Sequence, residues 1–306
     1  MEKTMPDGPV TAMNATARPD PIPLLADGDT LGVVGMGVMG CTILKGLLAA
    51  GALPPERVWG TSRSADTCRE VAADLGVAVE PDVQRRLASA GVVVLCVKPA
   101  QAPVALAALA GAGLRPEALV VSIAAGVDST QISTMLGTGN PIVRAMPNTP
   151  CVVGEGMTAI CRGPRATPTH VAQARRIFEC VGRAVETEEK HFNAITALSG
   201  SGPAYHYLIM EAMADAGVRV GLPRDLALAL VSQTTLGAAR MVQTSGRHPA
   251  ALRDDVTTPA GCTIGGLLML EDGKIRSVLA RAIEEATRIA SKLGPAGPSK
   301  PAGDPH

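Results

Sequence analysis

Thr30-Leu31-Gly32-Val33-Val34-Gly35-Met36-Gly37-Val38-Met39-Gly40 decides how the chain folds. Leu31 to Val34 is a short apolar run suited to a strand, and Ile43 to Ala50 beyond the glycines has the spacing of a helix. Strand, glycine turn and helix in that order give each glycine a task. Gly35 makes the tight turn, Gly37 lets a pyrophosphate come up to the backbone, and Gly40 lets helix and strand close together. The expectation is a dinucleotide-binding unit with Gly35, Gly37 and Gly40 along the cofactor.

Moving outward, Arg57 to Arg63 reads as the next strand. An acidic residue about 20 positions after the glycines would hold a ribose 2′-hydroxyl. The strand ends in Ser62 and Arg63 instead, and a hydroxyl beside a guanidinium suits a 2′-phosphate. NADPH is therefore expected, with NADH as the alternative. Val77-Ala78-Val79, Gly91 to Val97 and Leu119 to Ile123 continue as strands with Ala-rich helical segments between them, the pattern of a doubly wound parallel sheet. Ligands of such sheets lie at the carboxyl ends of the strands. Those ends carry Val97-Lys98-Pro99, Ser122 through Ala124-Ala125-Gly126, and Arg144 through Pro150. Ala124, Ala125 and Gly126 are small enough for a flat nicotinamide to approach the backbone. Lys98 reads equally as a ribose or phosphate contact and as a solvated charge, while Asn148, between two prolines, suits a turn. Met157 to Cys161 and Arg183 to Val185 would extend the sheet around a helix from Val171 to Val181.

Beyond Glu189 the period changes to successive helices: Pro203 to Ala216, Pro223 to Gln243, Pro249 to Val256, Thr263 to Glu271 and Lys274 to Leu293. Gly217, Gly221, Gly246 and Gly273 punctuate them. The first two are apolar almost all round, as buried helices are, and in so small a domain one face belongs against another subunit. Met210, Met213, Met241 and Met269 then read as core or interface. Between the third and fourth helices runs Asp254-Asp255-Val256-Thr257-Thr258-Pro259-Ala260-Gly261-Cys262-Thr263. Pro259 and Gly261 bend the backbone, so free N–H groups near Gly261 to Thr263 face one way as a candidate carboxylate pocket, with the Thr263 hydroxyl at its mouth. An ordinary capped turn is the other reading.

The expected organisation is a loose tail over 1–29, a Rossmann-like doubly wound α/β domain over 30–188, an all-α substrate and dimerisation domain over 189–293, and a loose tail over 294–306. The 306-residue chain has 28 basic and 28 acidic residues, no basic stripe interleaved with aromatics, and hence no footprint for nucleic acid. Its apolar runs fall short of the roughly 18 residues a spanning helix needs, so no membrane is expected. The amino-terminal stretch lacks the pattern of a secretory signal, and Met5 and Met13 are further candidate starts. Seven scattered cysteines without a CxxC pair suggest no disulfide framework, no metal site and a reducing cytoplasm. His191, His206 and His248 read as packed or hydrogen-bonded, and Cys262 as a backbone donor rather than a nucleophile.

Together Val33 to Gly40, Val97-Lys98-Pro99, Val121-Ser122 with Ala124 to Gly126, Arg144 with Met146 to Pro150, Leu198-Ser199-Gly200-Ser201-Gly202-Pro203-Ala204-Tyr205 and Val256 through Thr263 resemble the pyrroline-5-carboxylate reductases, in order and spacing. The resemblance covers about residues 30 to 292. It implies an NAD(P)H-dependent enzyme of the last step of proline synthesis, whose helical domain interlocks with a second subunit as a homodimer, often within a larger ring such as a decamer. By matching positions it implies cofactor contacts at Gly35 to Gly40, Ser62, Arg63, Val97, Lys98, Pro99, Ala124, Ala125, Gly126, Asn148 and Asp255, and substrate contacts at Glu189, Gly261, Cys262 and Thr263. Thr263 would orient the imine nitrogen rather than act as a strong acid. Three positions depart from the family: Ala260 for Gly, Thr258 for Ser and Asn193 for Asp. Two other functions fit parts of this pattern: a β-hydroxyacid dehydrogenase with Lys98 as acid–base, and a nucleotide sensor that binds NADPH without turnover.

Overall fold

The computed structural model describes residues 23–293. Of the tails expected over 1–29 and 294–306, residues 1–22 and 294–306 lie outside the described residues. Order begins earlier than expected, because Leu24 and Leu25 are buried in the core ahead of the first strand. Eight strands form one sheet in the order β3-β2-β1-β4-β5-β6-β7-β8. They are β1 (Thr30–Val34), β2 (Val58–Thr61), β3 (Ala78–Glu80), β4 (Ala90–Leu95), β5 (Leu119–Ser122), β6 (Ile142–Met146), β7 (Gly156–Arg162) and β8 (Gly182–Glu186). Neighbours are parallel except β6 and β7, which are antiparallel. Helices α1 (Val38–Ala49), α2 (Ala65–Leu75), α3 (Ala102–Gly111), α4 (Ser129–Leu136) and α5 (Pro168–Glu179) cover it.

The uninterrupted apolar runs have a simple cause. Val92 and Val94 join a core on one face with Leu31, Ile43, Leu44 and Phe178, while Val93 and Leu95 join a second core on the other with Trp59, Leu106 and Ile132. Alternate residues go to opposite faces, so a strand covered on both sides must be apolar throughout. Gly32 is small for a local reason: a Cβ there would stand 2.2 Å from the Trp59 ring. The strand order turns back between β1 and β4, which places a crevice at their carboxyl ends.

After β8 the chain is helical: α6 (Phe192–Ile195), a five-residue π turn (Thr196–Gly200), α7 (Gly202–Arg219), α8 (Arg224–Ser245), α9 (Pro249–Asp255), α10 (Cys262–Asp272) and α11 (Ile275–Ala290). α11 packs on α6 and the π turn, and α7 packs on α8. One expectation needs correction. Gly217 lies inside α7 rather than after it, because its missing side chain lets Ala227 of α8 approach: a Cβ there would be 3.1 Å from that of Ala227. The two helices expected to bury a face against another subunit are mostly exposed within one chain, where only Gly202 and Ala214 of α7 and Ala227 of α8 are buried. Met213, Met241 and Met269 are exposed, which leaves interface rather than core as their reading.

Candidate active site

The glycine turn between β1 and α1 has the shape its residues suggest. Gly35 has φ +104°, and the N–H groups of Gly35 and Met36 donate to the Thr61 carbonyl at 3.1 and 2.9 Å. A Cβ at Gly35 would stand 2.6 Å from the Cys96 carbonyl oxygen, and one at Gly40 2.3 Å from that of Gly35. Gly37 differs: nothing lies within 4 Å of the space its Cβ would take. It caps α1, whose first turn has no acidic residue and no side-chain cap, so the leading N–H groups are left for an anion. The Met36 side chain turns inward against Gly60, leaving only its backbone to a cofactor, while Val38 is exposed and Met39 half-buried.

The neighbouring strand ends complete the rim. Ser62 N–H donates to the Glu80 carbonyl at 3.1 Å, and Ser62 Oγ accepts from Ser64 N–H at 3.4 Å. Arg63 and Lys98 are exposed, and among the described residues neither side chain has a hydrogen bond or ion pair, so both charges are available to phosphates. Val97 and Pro99 are half-buried beside Lys98. Ala124 is buried, Ala125 and Gly126 are half-buried, and Ser122 Oγ accepts from Ala124 N–H at 3.3 Å. The pocket has small walls, two free cations and an uncapped helix start, which fits a dinucleotide phosphate backbone.

Two expected contacts are occupied differently. Glu189, expected against substrate, turns its carboxylate to the Rossmann domain: Oε1 accepts from Ser129 N–H at 2.7 Å and Arg144 Nη1 at 3.1 Å, and Oε2 from Ser129 Oγ at 2.5 Å. The Arg144 guanidinium lies 4.5 Å from the Phe192 ring centre. Asn148, expected along the cofactor, uses Nδ2 on the Ser199 carbonyl at 3.2 Å and Oδ1 on Met157 N–H at 2.8 Å. Sequence reasoning missed Ser129 and the role of Arg144. The available signal was an arginine inside a strand, where a buried charge requires partners. Beside this cluster, burial pushes the Cys161 thiol up to about 12. Burial also raises Cys41, Cys96, Cys151 and Cys180, so none of these is an activated nucleophile.

The second anion site is a turn feeding a helix. Gly261 N–H donates to the Thr258 carbonyl at 3.1 Å, closing a turn with Pro259 second and Ala260 third. Ala260 has φ +57°, a conformation such a turn normally fills with glycine. Gly261 caps α10 without a side-chain bond or an acidic first turn, Cys262 is exposed and Thr263 half-buried. Asp255 is exposed and accepts from Arg247 Nη1 at 2.6 Å, which holds that guanidinium above its ordinary range. Neither α9 nor α10 makes an extended contact with any strand or helix of the sheet domain. Gly261 to Thr263 open α10, whose main packing partner is α11 rather than an element of the sheet domain. Of the three histidines, His248 accepts from Ala250 N–H at 3.2 Å as the cap of α9, whereas His191 and His206 are exposed rather than packed.

Fold and crevice define a Rossmann-like protein with a candidate dinucleotide site, and the comparisons give the class. Residues 30–126 match the family described as NADP oxidoreductase coenzyme F420-dependent, and residues 189–293 match pyrroline-5-carboxylate reductase dimerisation. The chain is 40% identical over 272 residues to the pyrroline-5-carboxylate reductase of Arabidopsis thaliana, covering 89% of this chain and 98% of that one. It is 36% identical over 263 residues to that of Escherichia coli, covering 86% and 97%. A solved pyrroline-5-carboxylate reductase from Coxiella burnetii superposes with a TM-score of 0.82 at 35% identity, over 88% of this chain and 100% of that one. A Plasmodium falciparum pyrroline carboxylate reductase solved with NADP bound gives 0.77 at 31%, over 89% and 100%. The chain belongs to the pyrroline-5-carboxylate reductase family, and it is an imine reductase using NAD(P)H. Among the described residues no helix is long and apolar enough to cross a membrane.

Proposed function

We propose that this chain reduces 1-pyrroline-5-carboxylate to L-proline at a site completed between two subunits, with the crevice of one facing the Gly261–Thr263 loop of the other. The observation that carries it is the pair of uncapped helix starts, at Gly37 in the sheet domain and at Gly261 on α10, which packs mainly on α11. The first suits the pyrophosphate and the second the substrate carboxylate. Ser62 and Arg63 would take the 2′-phosphate, favouring NADPH, and Lys98 a phosphate or ribose. The backbone from Ala124 to Gly126 leaves room for the nicotinamide, which supplies the hydride when bound. Gly261, Cys262 and Thr263 would hold the carboxylate through backbone N–H groups, and the Thr263 hydroxyl would orient the ring nitrogen while hydride reaches the adjacent carbon. A protonated imine is already electrophilic, so no strong acid is required.

The exposed apolar faces of α7, α8 and α10 support an interlocked homodimer, and a decamer is the larger assembly proposed. Seven free cysteines support a cytoplasmic setting. The test is NADPH consumption with pyrroline-5-carboxylate, run beside 3-hydroxyacid oxidation. Turnover of the imine alone is expected. Oxidation of the hydroxyacid would point to Lys98 acid–base chemistry, and binding without turnover to a sensor.

A further inference from the structure

We propose that Glu189 is a positioning residue, which fixes the cofactor loop Ala124–Gly126 relative to the helical domain by gripping the first residue of α4. The inference rests on the reading that the nicotinamide lies against that loop. The local chemistry starts at Asp128, the cap of α4, whose carboxylate accepts from Gln131 N–H at 2.7 Å while Gln131 Oε1 accepts from Asp128 N–H at 3.0 Å. That reciprocal pair leaves the N–H of Ser129 unserved, in a residue only 2% exposed. Glu189 supplies the acceptor from 60 residues further along the chain and takes the Ser129 hydroxyl as well.

The same carboxylate accepts from Arg144, which is 4% exposed and pairs with Ser122 across the β5–β6 ladder. Phe192, one turn after Glu189, lies over that guanidinium and is 1% exposed. Glu189 and Phe192 therefore grip one arginine from successive turns at the start of the helical domain. Gly163 leaves the room this needs, since a Cβ there would stand 2.6 Å from that of Ser129. At its near end the cofactor loop is held by the sheet, through Ile123 N–H on the Leu95 carbonyl at 3.1 Å and through Ser122 Oγ. At its far end the Glu189 carboxylate ties it to the helical domain. A small displacement there moves the nicotinamide end of the pocket and leaves the adenosine end, at Ser62 and Arg63, untouched.

The test uses the full-length enzyme and the variants Glu189→Ala, Glu189→Gln, Ser129→Ala and the alanine double. For Glu189→Ala the expected loss is roughly tenfold in kcat with KM for NADPH held within about twofold, because orientation rather than binding is weakened. Hydrogen exchange in the peptide holding Ser129 should quicken roughly tenfold, while β1 and β4 keep their protection. Glu189→Gln should recover most of kcat, since its amide can still accept from Ser129 N–H. In the double variant the two kcat losses should fail to add, as expected for one shared linkage. Unchanged kcat, additive losses, or a rise confined to KM for pyrroline-5-carboxylate would each overturn the proposal, the last by returning Glu189 to the substrate. If Glu189→Ala does not fold, Ser129→Ala, which removes the hydroxyl that Glu189 Oε2 accepts from, carries the kcat and exchange readouts in the same direction. A parent enzyme that folds but does not reduce the imine would refute the catalytic reading, while the exchange arm would still decide the linkage.

Discussion

The two halves of the chain use similar apolar residues to opposite ends. Val92, Val93, Val94 and Leu95 of β4 are at most 1% exposed, whereas Leu226, Leu228, Leu230 and Leu236 of α8 are about half exposed, at 47, 52, 49 and 55%. The sheet has helices on both faces and closes its own core. The helices cover one another only in part, as with α7 on α8 and α11 on α6. At roughly 25 cal/mol for each Å² of apolar surface removed from water, that open surface is a large unrealised stabilisation. The sheet domain is complete in one chain, and the helical domain needs another.

The largest effect that sharpens this contrast should come from Gly37→Val. Nothing occupies the space beside Gly37, so the fold should survive, but a side chain there would stand where the pyrophosphate comes up to α1. NADPH binding, followed through the sole tryptophan, Trp59, should weaken at least about 100-fold, or nearly 3 kcal/mol, with the thermal transition little changed. Gly40→Val should instead unfold the unit, since a Cβ there meets the Gly35 backbone. Equal behaviour of the two variants would break the division of labour among the glycines.

Next in size is Leu230→Asp on α8. In an isolated chain an exposed leucine is replaceable, and the change should cost well under about 1 kcal/mol. In a dimer the same carboxylate would be buried without a partner, and sedimentation should show dissociation together with loss of activity. An active, associated variant would show that this face of α8 is not the interface. Thr263→Ala should cost about 100-fold or less in turnover if the hydroxyl orients the imine, and full activity would remove Thr263 from the mechanism.

What could be read from the sequence follows the same division. Strands buried on both faces are uninterrupted apolar runs, so β1, β4 and β5 were legible within a residue or two. β6 was legible only as the segment leading to Pro147, because Arg144 breaks its run, and the residues that make that charge tolerable, Glu189 and Phe192, lie 45 or more residues away. Leu24 and Leu25, set among Pro, Ala and Asp, have no period to announce that they are buried. In the helical half the helices are plain, and it is the small size of the domain, not the helix pattern, that points to a neighbour from another chain, since an apolar helix reads the same whichever chain covers it. Gly217 was taken for punctuation because close packing against Ala227 has no signature in local sequence. At the crevice the glycine turn and the strand ends are legible as local patterns, whereas the hydrogen bonds of Glu189 and Asn148 are not, since their partners lie elsewhere in the chain.

A smaller effect is expected where a residue other than glycine holds a left-handed turn position in the helical half. Ala260 holds φ +57° at the third position of its turn, a conformation that costs a side chain about 1 kcal/mol relative to glycine. Ala260→Gly should therefore lower KM for pyrroline-5-carboxylate by a few-fold, with kcat and the KM for NADPH unchanged, if the turn's own conformation limits carboxylate binding. A KM that stays put would mean that the loop is held by its partner subunit rather than by its own backbone.

The smallest effect belongs to the sheet half and concerns pH. His170 closes the cap of α5: its Nδ1 accepts from Thr167 N–H at 3.1 Å, and its own N–H donates to Thr167 Oγ1 at 3.4 Å. A ring nitrogen that accepts a hydrogen bond must be unprotonated, and burial lowers the imidazole below its ordinary 6.5. The sign follows from linkage. With the folded value below the unfolded one, the unfolded chain takes up the proton first, so this contribution is whole above about pH 7 and declines as pH falls through the mid-6 range, levelling below the folded value. His170→Gln keeps an acceptor that does not titrate, so the difference in thermal midpoint between wild type and variant should shift in the variant's favour on going from pH 7 to pH 5. If that difference is the same at both pH values, the cap is not held by the neutral ring, and the pH response of the sheet half must come from elsewhere.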